Sequence, residues 1–121
     1  MPDRSVVEAF VAEVVSGRHV EAIEQFYTAG ASMQENQTPP RAGRELLMEH
    51  ERRALARSKS VDSRQIGPVV IDGDHVAIRW VFAFTLADGT VRSMEEVAWQ
   101  RWEGDKIAEE TFFYDPAQMR G

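Results

Sequence analysis

The hydrophobic residues of this chain change their spacing near Gln65, and this change limits the possible folds more than any other feature of the sequence. Before that point they recur in pairs four residues apart, which is the spacing of one face of an α-helix. After it, they alternate with other residues along four runs, at about 66–71, 75–86, 91–102 and 107–114. Alternation with a period of two is the pattern of a β-strand. Helices followed by strands predict an α+β domain.

Three helices are predicted in the first half of the chain. The first has an apolar stripe, Ser5 and Glu8 at capping-box spacing, and Gly17 as its end; the stripe is Val6, Val7, Phe10, Val11, Val14 and Val15. The second helix is shorter and ends near Gly30. Residues 31–43 contain two consecutive prolines, which forbid a helix, and predict a short extended piece and a loop. The third helix covers about 44–59.

Turn sequences separate the four strand-like runs. They are Asp72-Gly73-Asp74, Asp88-Gly89 and Gly104-Asp105, and each is typical of a hairpin. The strands are therefore expected to form a four-stranded antiparallel sheet. The middle two runs are long, and strands of that length usually curve, so we predict three N-terminal helices packed in a curved sheet.

Composition sets the remaining limits. The 121 residues are the size of one domain, 1–121, and the net charge of −6 argues against a nucleic-acid partner. The chain has no cysteine, which excludes disulfides and thiol catalysis. Neither a membrane-length apolar run nor a signal-peptide core occurs, so we expect no membrane partner and a cytoplasmic location.

Both faces of the predicted sheet carry apolar residues. Along the second strand one face is uniformly apolar and the other is mixed; the apolar face is Val76, Ile78, Trp80, Phe82, Phe84 and Leu86. Three short helices cannot cover both faces. We therefore expect a homodimer formed through the sheet, the alternative being scattered apolar residues on a free surface.

Two segments resemble the nuclear transport factor 2-like superfamily, in particular its SnoaL-like and ketosteroid-isomerase-like members. The segment YTAGASMQENQTPPRAGRE (27–45) is similar to their helix-to-loop signature, and MEEVAWQRWEGDKIAEETFFYDP (94–116) to their last hairpin. The resemblance implies a cone-shaped, cystatin-like α+β roll with an internal pocket and dimerisation through the outer face of the sheet. It implies little about the reaction, because this fold hosts isomerases, cyclases, hydrolases, dehydratases and binding modules.

The resemblance places Glu35 where ketosteroid isomerases have their general base. An apolar cone would raise the pKa of such a carboxyl into a range useful for proton transfer, although Glu35 could instead hydrogen-bond the loop backbone. The two oxyanion-hole positions fall near Val11 and Ala98, whose side chains donate no hydrogen bond. Steroid isomerisation is therefore not expected.

Other polar residues are candidates for the pocket. By the family pattern Glu96 and Glu110 point inward, but a strict two-residue turn at Gly104-Asp105 would put Glu110 on the face of Glu95; only a bulge or a longer turn restores the pattern. His50 lies at the edge of the third helix's apolar arc and could assist Glu35. Arg79 could bind an anion or pair with a glutamate across the sheet.

Tyr27 and Tyr114 are core, interface or pocket residues. His19 and His75 are expected to be solvated, and three scattered histidines make a metal site improbable. Residues 41–64, with seven basic and four acidic groups, are interpreted as a solvated helix face.

Two functions remain open from sequence. The first is a cofactor-free isomerase, cyclase or lyase acting on a small hydrophobic molecule, with Glu35, His50 and Glu96 as catalytic candidates and Tyr27, Arg79, Glu110 and Tyr114 in the pocket. The second is a non-catalytic ligand-binding or dimerisation module with the same pocket.

Overall fold

Three helices precede most of the sheet along the chain, as the sequence predicts. The computed structural model describes residues 1–119, so Arg120 and Gly121, the end of the predicted domain, lie outside the described residues. The helices are α1 (Arg4–Val15), α2 (His19–Phe26) and α3 (Arg44–Ala56), with a final 3₁₀ turn, Pro116–Met119. The strands are β1 (Tyr27–Glu35), β2 (Arg41–Ala42), β3 (Ser58–Asp72), β4 (His75–Leu86), β5 (Val91–Glu103) and β6 (Lys106–Phe113).

The helix ends differ in detail from the predicted ones. Asp3 is the N-cap of α1, so Ser5 lies inside the helix and the predicted capping box does not form. Gly17 follows the helix with φ of 90°, a left-handed conformation that glycine adopts without strain. The helix α2 ends at Phe26 rather than near Gly30, and α3 ends at Ala56.

The sheet has six strands, not four, and it is mixed rather than antiparallel. Their order is β2-β1-β6-β5-β4-β3, and β1 runs parallel to β6. The sequence predicted only a short extended piece within 31–43 and did not assign it to the sheet, because the residues of β1, YTAGASMQE, do not alternate between apolar and polar. It also cut β3 short, since the first half of that strand, 58–65, is mostly polar.

A bulge decides which way Glu110 points. The β5–β6 hairpin starts with a tight turn that pairs Glu103 with Lys106, and the register then shifts between Arg101 and Trp102, so Gln100 pairs with Glu110. Of the two arrangements left open by the sequence, the structure has the bulged one. Glu110 therefore lies on the same face of the sheet as Glu96.

The core lies between the helices and one face of the curved sheet, called here the inner face. Even-numbered residues of β4 and β5 point to it, among them the buried Trp80 and Trp102. The opposite, outer face leaves three large apolar side chains partly exposed on neighbouring strands, namely Val97, Trp99 and Phe113. Within residues 1–119, no helix is long and apolar enough to cross a membrane.

Matched valines test this division into an inner and an outer face. Val76 is fully buried on the inner face, whereas Val70 is 56% exposed. We expect Val76→Ala to lower the unfolding free energy by about 2 kcal/mol, since it removes two buried methyl groups and leaves a cavity. Val70→Ala should cost less than about 0.5 kcal/mol. Urea denaturation measures both, and equal losses would contradict the assignment of the core.

Candidate functional site

A pocket of about 390 Å³ lies between the helices and the inner face of the sheet. Most of its wall is apolar: Phe10, Val14, Ile23, Met33, Leu55, Trp80, Phe82, Phe84, Leu86, Met94 and Phe112. Its ionisable side chains are Glu35, Glu51, Glu96, Glu110, His19, His50, Tyr27, Arg57 and Arg92. An apolar cavity with a few polar groups is the usual form of a small-molecule site.

The carboxyl group of Glu96 lies in the pocket wall, where no side chain among the described residues is hydrogen-bonded to it. It sits on the inner face of β5 and is only 8% exposed. Among residues 1–119 no hydrogen bond or ion pair involves its side chain. Burial in this apolar wall, with a further contribution from the negative charge of Glu110, raises the pKa of Glu96 to about 8. Glu96 is therefore mostly protonated at neutral pH and can donate a hydrogen bond.

Glu110 ends a chain of buried hydrogen bonds. The Trp102 Nε1–H donates to Gln100 Oε1 at 2.9 Å, and Gln100 Nε2 donates to Glu110 Oε2 at 2.6 Å. The other carboxylate oxygen, Oε1, accepts a hydrogen bond from the Tyr27 hydroxyl. Burial raises the pKa of Glu110 to about 7, although the two hydrogen bonds oppose the rise by stabilising the anion.

Tyr27 is held as a neutral donor beside this carboxyl group. Its side chain is buried at the start of β1, and the Arg44 guanidinium donates to its backbone carbonyl oxygen at 3.2 Å. Burial, and then the negative charge of Glu110, raise the pKa of Tyr27 well above the ordinary value for a phenol. The hydroxyl therefore keeps its proton across the physiological range.

Glu35, at the end of β1, has a different environment from Glu96. Its Oε2 accepts a hydrogen bond from the Arg41 guanidinium at 3.0 Å, in a partly exposed ion pair. Tyr114 lies near it but is not among the residues that line the pocket. Partial burial and the charges of Glu35 and Glu96 raise the pKa of the Tyr114 hydroxyl.

The other predicted positions divide between pocket and surface. His50, on α3, lines the pocket. Arg79 does not: it lies on the outer face, where it forms an exposed ion pair with Glu95. The prediction of Arg79 as a pocket residue is therefore corrected, because odd-numbered residues of β4 point away from the helices.

Sequence reasoning did not predict that His19 lies in the pocket wall. His19, expected to be solvated, is nearly buried at the start of α2. Its Nε2 lies 2.8 Å from Ser63 Oγ, and its Nδ1 lies 3.4 Å from Glu51 Oε1. Ser63 is itself buried, so it fixes the imidazole and is not open to attack a substrate. Helical spacing could have indicated this position. His19 lies three, four and seven residues before Ala22, Ile23 and Phe26, which form the buried face of α2.

Metal binding was tested against the same side chains. Within the described part of the chain, no group of three or more histidine, aspartate or glutamate residues is arranged to hold a metal ion. The chemistry available in the pocket is that of its carboxyl, imidazole and phenol groups.

Three helices packed in a curved mixed sheet around an internal pocket define the nuclear transport factor 2-like class, and solved structures share this fold. A protein from Mesorhizobium loti named as a SnoaL-like polyketide cyclase is 23% identical, with TM-score 0.75 over 91% of this chain and 97% of its own. A ketosteroid-isomerase-like protein from Catenulispora acidiphila, in complex with trimethylamine, is 21% identical (TM-score 0.76, 93% and 86% covered). A protein from Burkholderia pseudomallei is 11% identical (TM-score 0.80, 95% and 92% covered).

The sequence itself identifies the family. Residues 7–110 match the SnoaL-like domain, and the chain therefore belongs to the SnoaL-like family. This confirms the resemblance drawn from residues 27–45 and 94–116. A search of curated proteins found no match.

Glu96→Gln tests the environment of the unpartnered carboxyl. Since the pKa of Glu96 rises from 4.5 in the unfolded chain to about 8, the folded state holds the proton more tightly. This stabilisation is complete below pH 4.5 and is lost as the pH rises to about 8, a loss of at most about 5 kcal/mol. Denaturation between pH 4 and 9 should show a smaller fall in unfolding free energy for Glu96→Gln than for the wild type.

The neighbouring outer-face residue is the matched control for this substitution. Glu95→Gln makes the same substitution on an exposed side chain and should leave the wild-type pH profile in place. If Glu96→Gln and the wild type had the same profile, Glu96 would not be desolvated.

Proposed function

We propose that this chain binds a small hydrophobic molecule in its pocket and transforms it by acid–base chemistry, in an isomerisation, ring closure or elimination. The observation that carries the proposal is the Glu96 carboxyl, which faces an apolar cavity without a hydrogen-bond partner among residues 1–119. A structural carboxyl in such a position would normally be paired, because an unpaired buried polar group is costly. A group kept at this cost is available to a ligand.

Two carboxyl groups with opposite environments suggest how the roles divide. Glu96 is desolvated and mostly protonated, and Glu35 is the anionic partner of Arg41. Environments that separate two carboxyl groups in this way assign one as the acid and the other as the base. In the proposed reaction Glu35 takes a proton from a carbon next to a carbonyl group, and Glu96 hydrogen-bonds the carbonyl oxygen, on which negative charge develops. Return of the proton to another carbon completes an isomerisation.

Glu96 is proposed to replace the oxyanion-hole donors that ketosteroid isomerases have and that this chain does not have at the matching positions. Ala98 lies on the inner face of β5, two residues after Glu96. A protonated Glu96 supplies a donor on the same face of the same strand. His50, which also lines the pocket, is proposed as a further proton carrier. The names of several similar structures, SnoaL-like polyketide cyclases, are consistent with carbonyl chemistry of this kind.

Deuterium exchange into 2-tetralone, an apolar enolisable ketone, tests the proposed reaction. The wild type should accelerate exchange next to the carbonyl group, and the rate should fall above about pH 8 as Glu96 loses its proton. Glu35→Gln should lower the rate at least about 100-fold because the base is gone. Glu96→Gln should lower it about tenfold, since an amide still donates, and should remove the fall above pH 8. Mass spectrometry follows the incorporation.

Glu95→Gln again serves as the control and should exchange like the wild type. Should the wild type bind 2-tetralone yet exchange it no faster than Glu35→Gln, the second function would be favoured, a non-catalytic binding module. Its supporting observation is that Glu110 accepts hydrogen bonds from both Tyr27 and Gln100, as in a purely structural core.

We propose further that the outer face forms a homodimer. Val97, Trp99 and Phe113 are between 39% and 47% exposed and adjoin one another across β5 and β6. Aromatic residues grouped with aliphatic ones on an exposed sheet face are typical of a subunit interface. Among residues 1–119, no helix packs on this side of the sheet to cover them.

Trp99→Glu should convert the proposed dimer to monomers, because a charge would be buried at the centre of the interface. Val91→Glu is the matched control: Val91 is exposed on the same face but lies eight residues, roughly 26 Å, along β5. Sedimentation equilibrium measures the mass of each variant. A wild-type monomer, or a Trp99→Glu dimer as tight as the wild type, would contradict the interface.

A further inference from the structure

Two arginines stand at one end of the pocket, far from its carboxyl groups. Arg57 follows α3, and Arg92 lies near the start of β5, and the side chains of both line the cavity. Leu86 and Met119 line the same end, and these four residues are called here the rim. Arg57 and Met119 are exposed, so the rim opens to solvent.

Neither rim arginine is neutralised by the protein. Most arginines of this chain form an ion pair with a carboxylate, namely Arg18, Arg41, Arg52, Arg53, Arg64, Arg79 and Arg101. Within residues 1–119, no carboxylate lies within the 4.0 Å of an ion pair from Arg57 or Arg92. The Arg92 side chain donates only to the backbone carbonyl oxygen of Met119, at 3.0 Å. In a chain of net charge −6, two unpaired guanidinium groups beside one apolar cavity call for an explanation.

The strand register gives the spacing of the charges. Arg92 is opposite Phe84, and Ser58, which follows Arg57, is opposite Leu86. The two arginines therefore flank β4 from either side. Two strand spacings and an offset of about three residues along β4 put their backbones roughly 14 Å apart, a gap that two long side chains can close onto one group. Along β5, Arg92 precedes Glu96 by four residues on the same face, which is roughly 13 Å. Met94 and Phe82 line the pocket wall over that length.

We propose that the ligand of this pocket is an elongated amphipathic anion, whose carboxylate binds Arg57 and Arg92 at the rim while its apolar body extends towards Glu96. This inference rests on the proposed function for the role of Glu96, and it adds the charge, the length and the orientation of the substrate. Guanidinium groups suit a carboxylate because they donate two parallel hydrogen bonds to it.

The inner end of the pocket supports the same orientation. Glu96 and Glu110 share that end, and the negative charge of Glu110 already makes ionisation of Glu96 less favourable. A ligand carboxylate placed there would meet like charges in a poorly solvated space. With its carboxylate at the rim instead, the ligand meets two cations that form no ion pair with any carboxylate of the described residues. Arg57 also complements the dipole at the end of α3, but Arg92, on a strand, has no such role.

Octanoate, 1-octanol and octylamine test the proposal, because they share one alkyl chain and differ only in the charge of the head group. Isothermal titration calorimetry of the full chain at pH 7 and low salt should give the octanoate a Kd about five- to tenfold lower than that of 1-octanol. The double variant Arg57→Gln/Arg92→Gln should bind both with equal affinity, since only the head-group contact is lost. High salt should reduce the wild-type preference.

The matched control is Arg53→Gln/Arg101→Gln, which removes the same charge from residues outside the pocket and should keep the preference for octanoate. Equal binding of octanoate and 1-octanol by the wild type, or tighter binding of octylamine, would overturn the anionic head group, and so would failure of octanoate to bind. A preference that survives in Arg57→Gln/Arg92→Gln would overturn the assignment to the rim. Exchange of 2-tetralone, a neutral ketone, does not depend on the rim, so the proposed function stands or falls separately.

Discussion

The buried hydrogen bonds from Trp102 through Gln100 to Glu110 and Tyr27 are the interaction on which the rest of this structure depends. They join β5, β6 and β1, and so they cross the parallel pairing between β1 and β6. Parallel pairing requires a long crossover, which here contains β2, α3 and the strands β3, β4 and β5. A fully satisfied polar chain at this junction specifies a single register, because any slip would leave several buried polar atoms unpaired.

The same chain also sets the chemistry of the pocket. It uses both oxygens of Glu110 and leaves none of its donors for Glu96, which lies two inner-face positions before Gln100 along β5. Glu96 therefore experiences the burial and the negative charge without the hydrogen bonds that oppose the rise in the pKa of Glu110. Two carboxyl groups of identical chemistry thus differ because one is held by the core and the other is open to the cavity.

The sequence predicted the direction of a side chain where regular alternation fixes it, and left the direction open where a single extra residue reverses it. Alternation along β5 required that only one of Glu95 and Glu96 point inward, and the family pattern selected Glu96, which the structure has on the inner face. For Glu110 the direction hinged on a single bulged residue, which no local pattern specifies. The sequence did not assign β1 to the sheet. Its contacts are with β6, some eighty residues later, and pairing between such distant segments produces no periodic pattern in the sequence. His19 was assigned to solvent from its turn-like position and Arg57 from the basic face of the third helix, although both line the pocket.

The charged and titratable side chains make the two ends of the pocket chemically different, which its apolar lining alone would not do. Glu96 and Glu110 lie at the inner end, where burial favours their neutral forms, and guanidinium groups, which stay charged, lie at the exposed rim. The permanent cations thus remain hydrated, and the desolvated groups are acids that can become neutral. A molecule entering from solvent would meet the fixed charge first and the proton-transferring groups last. The residue proposed to bind the ligand's carboxylate, Arg92, and the residue proposed to act on its other end, Glu96, are thus four residues apart along β5.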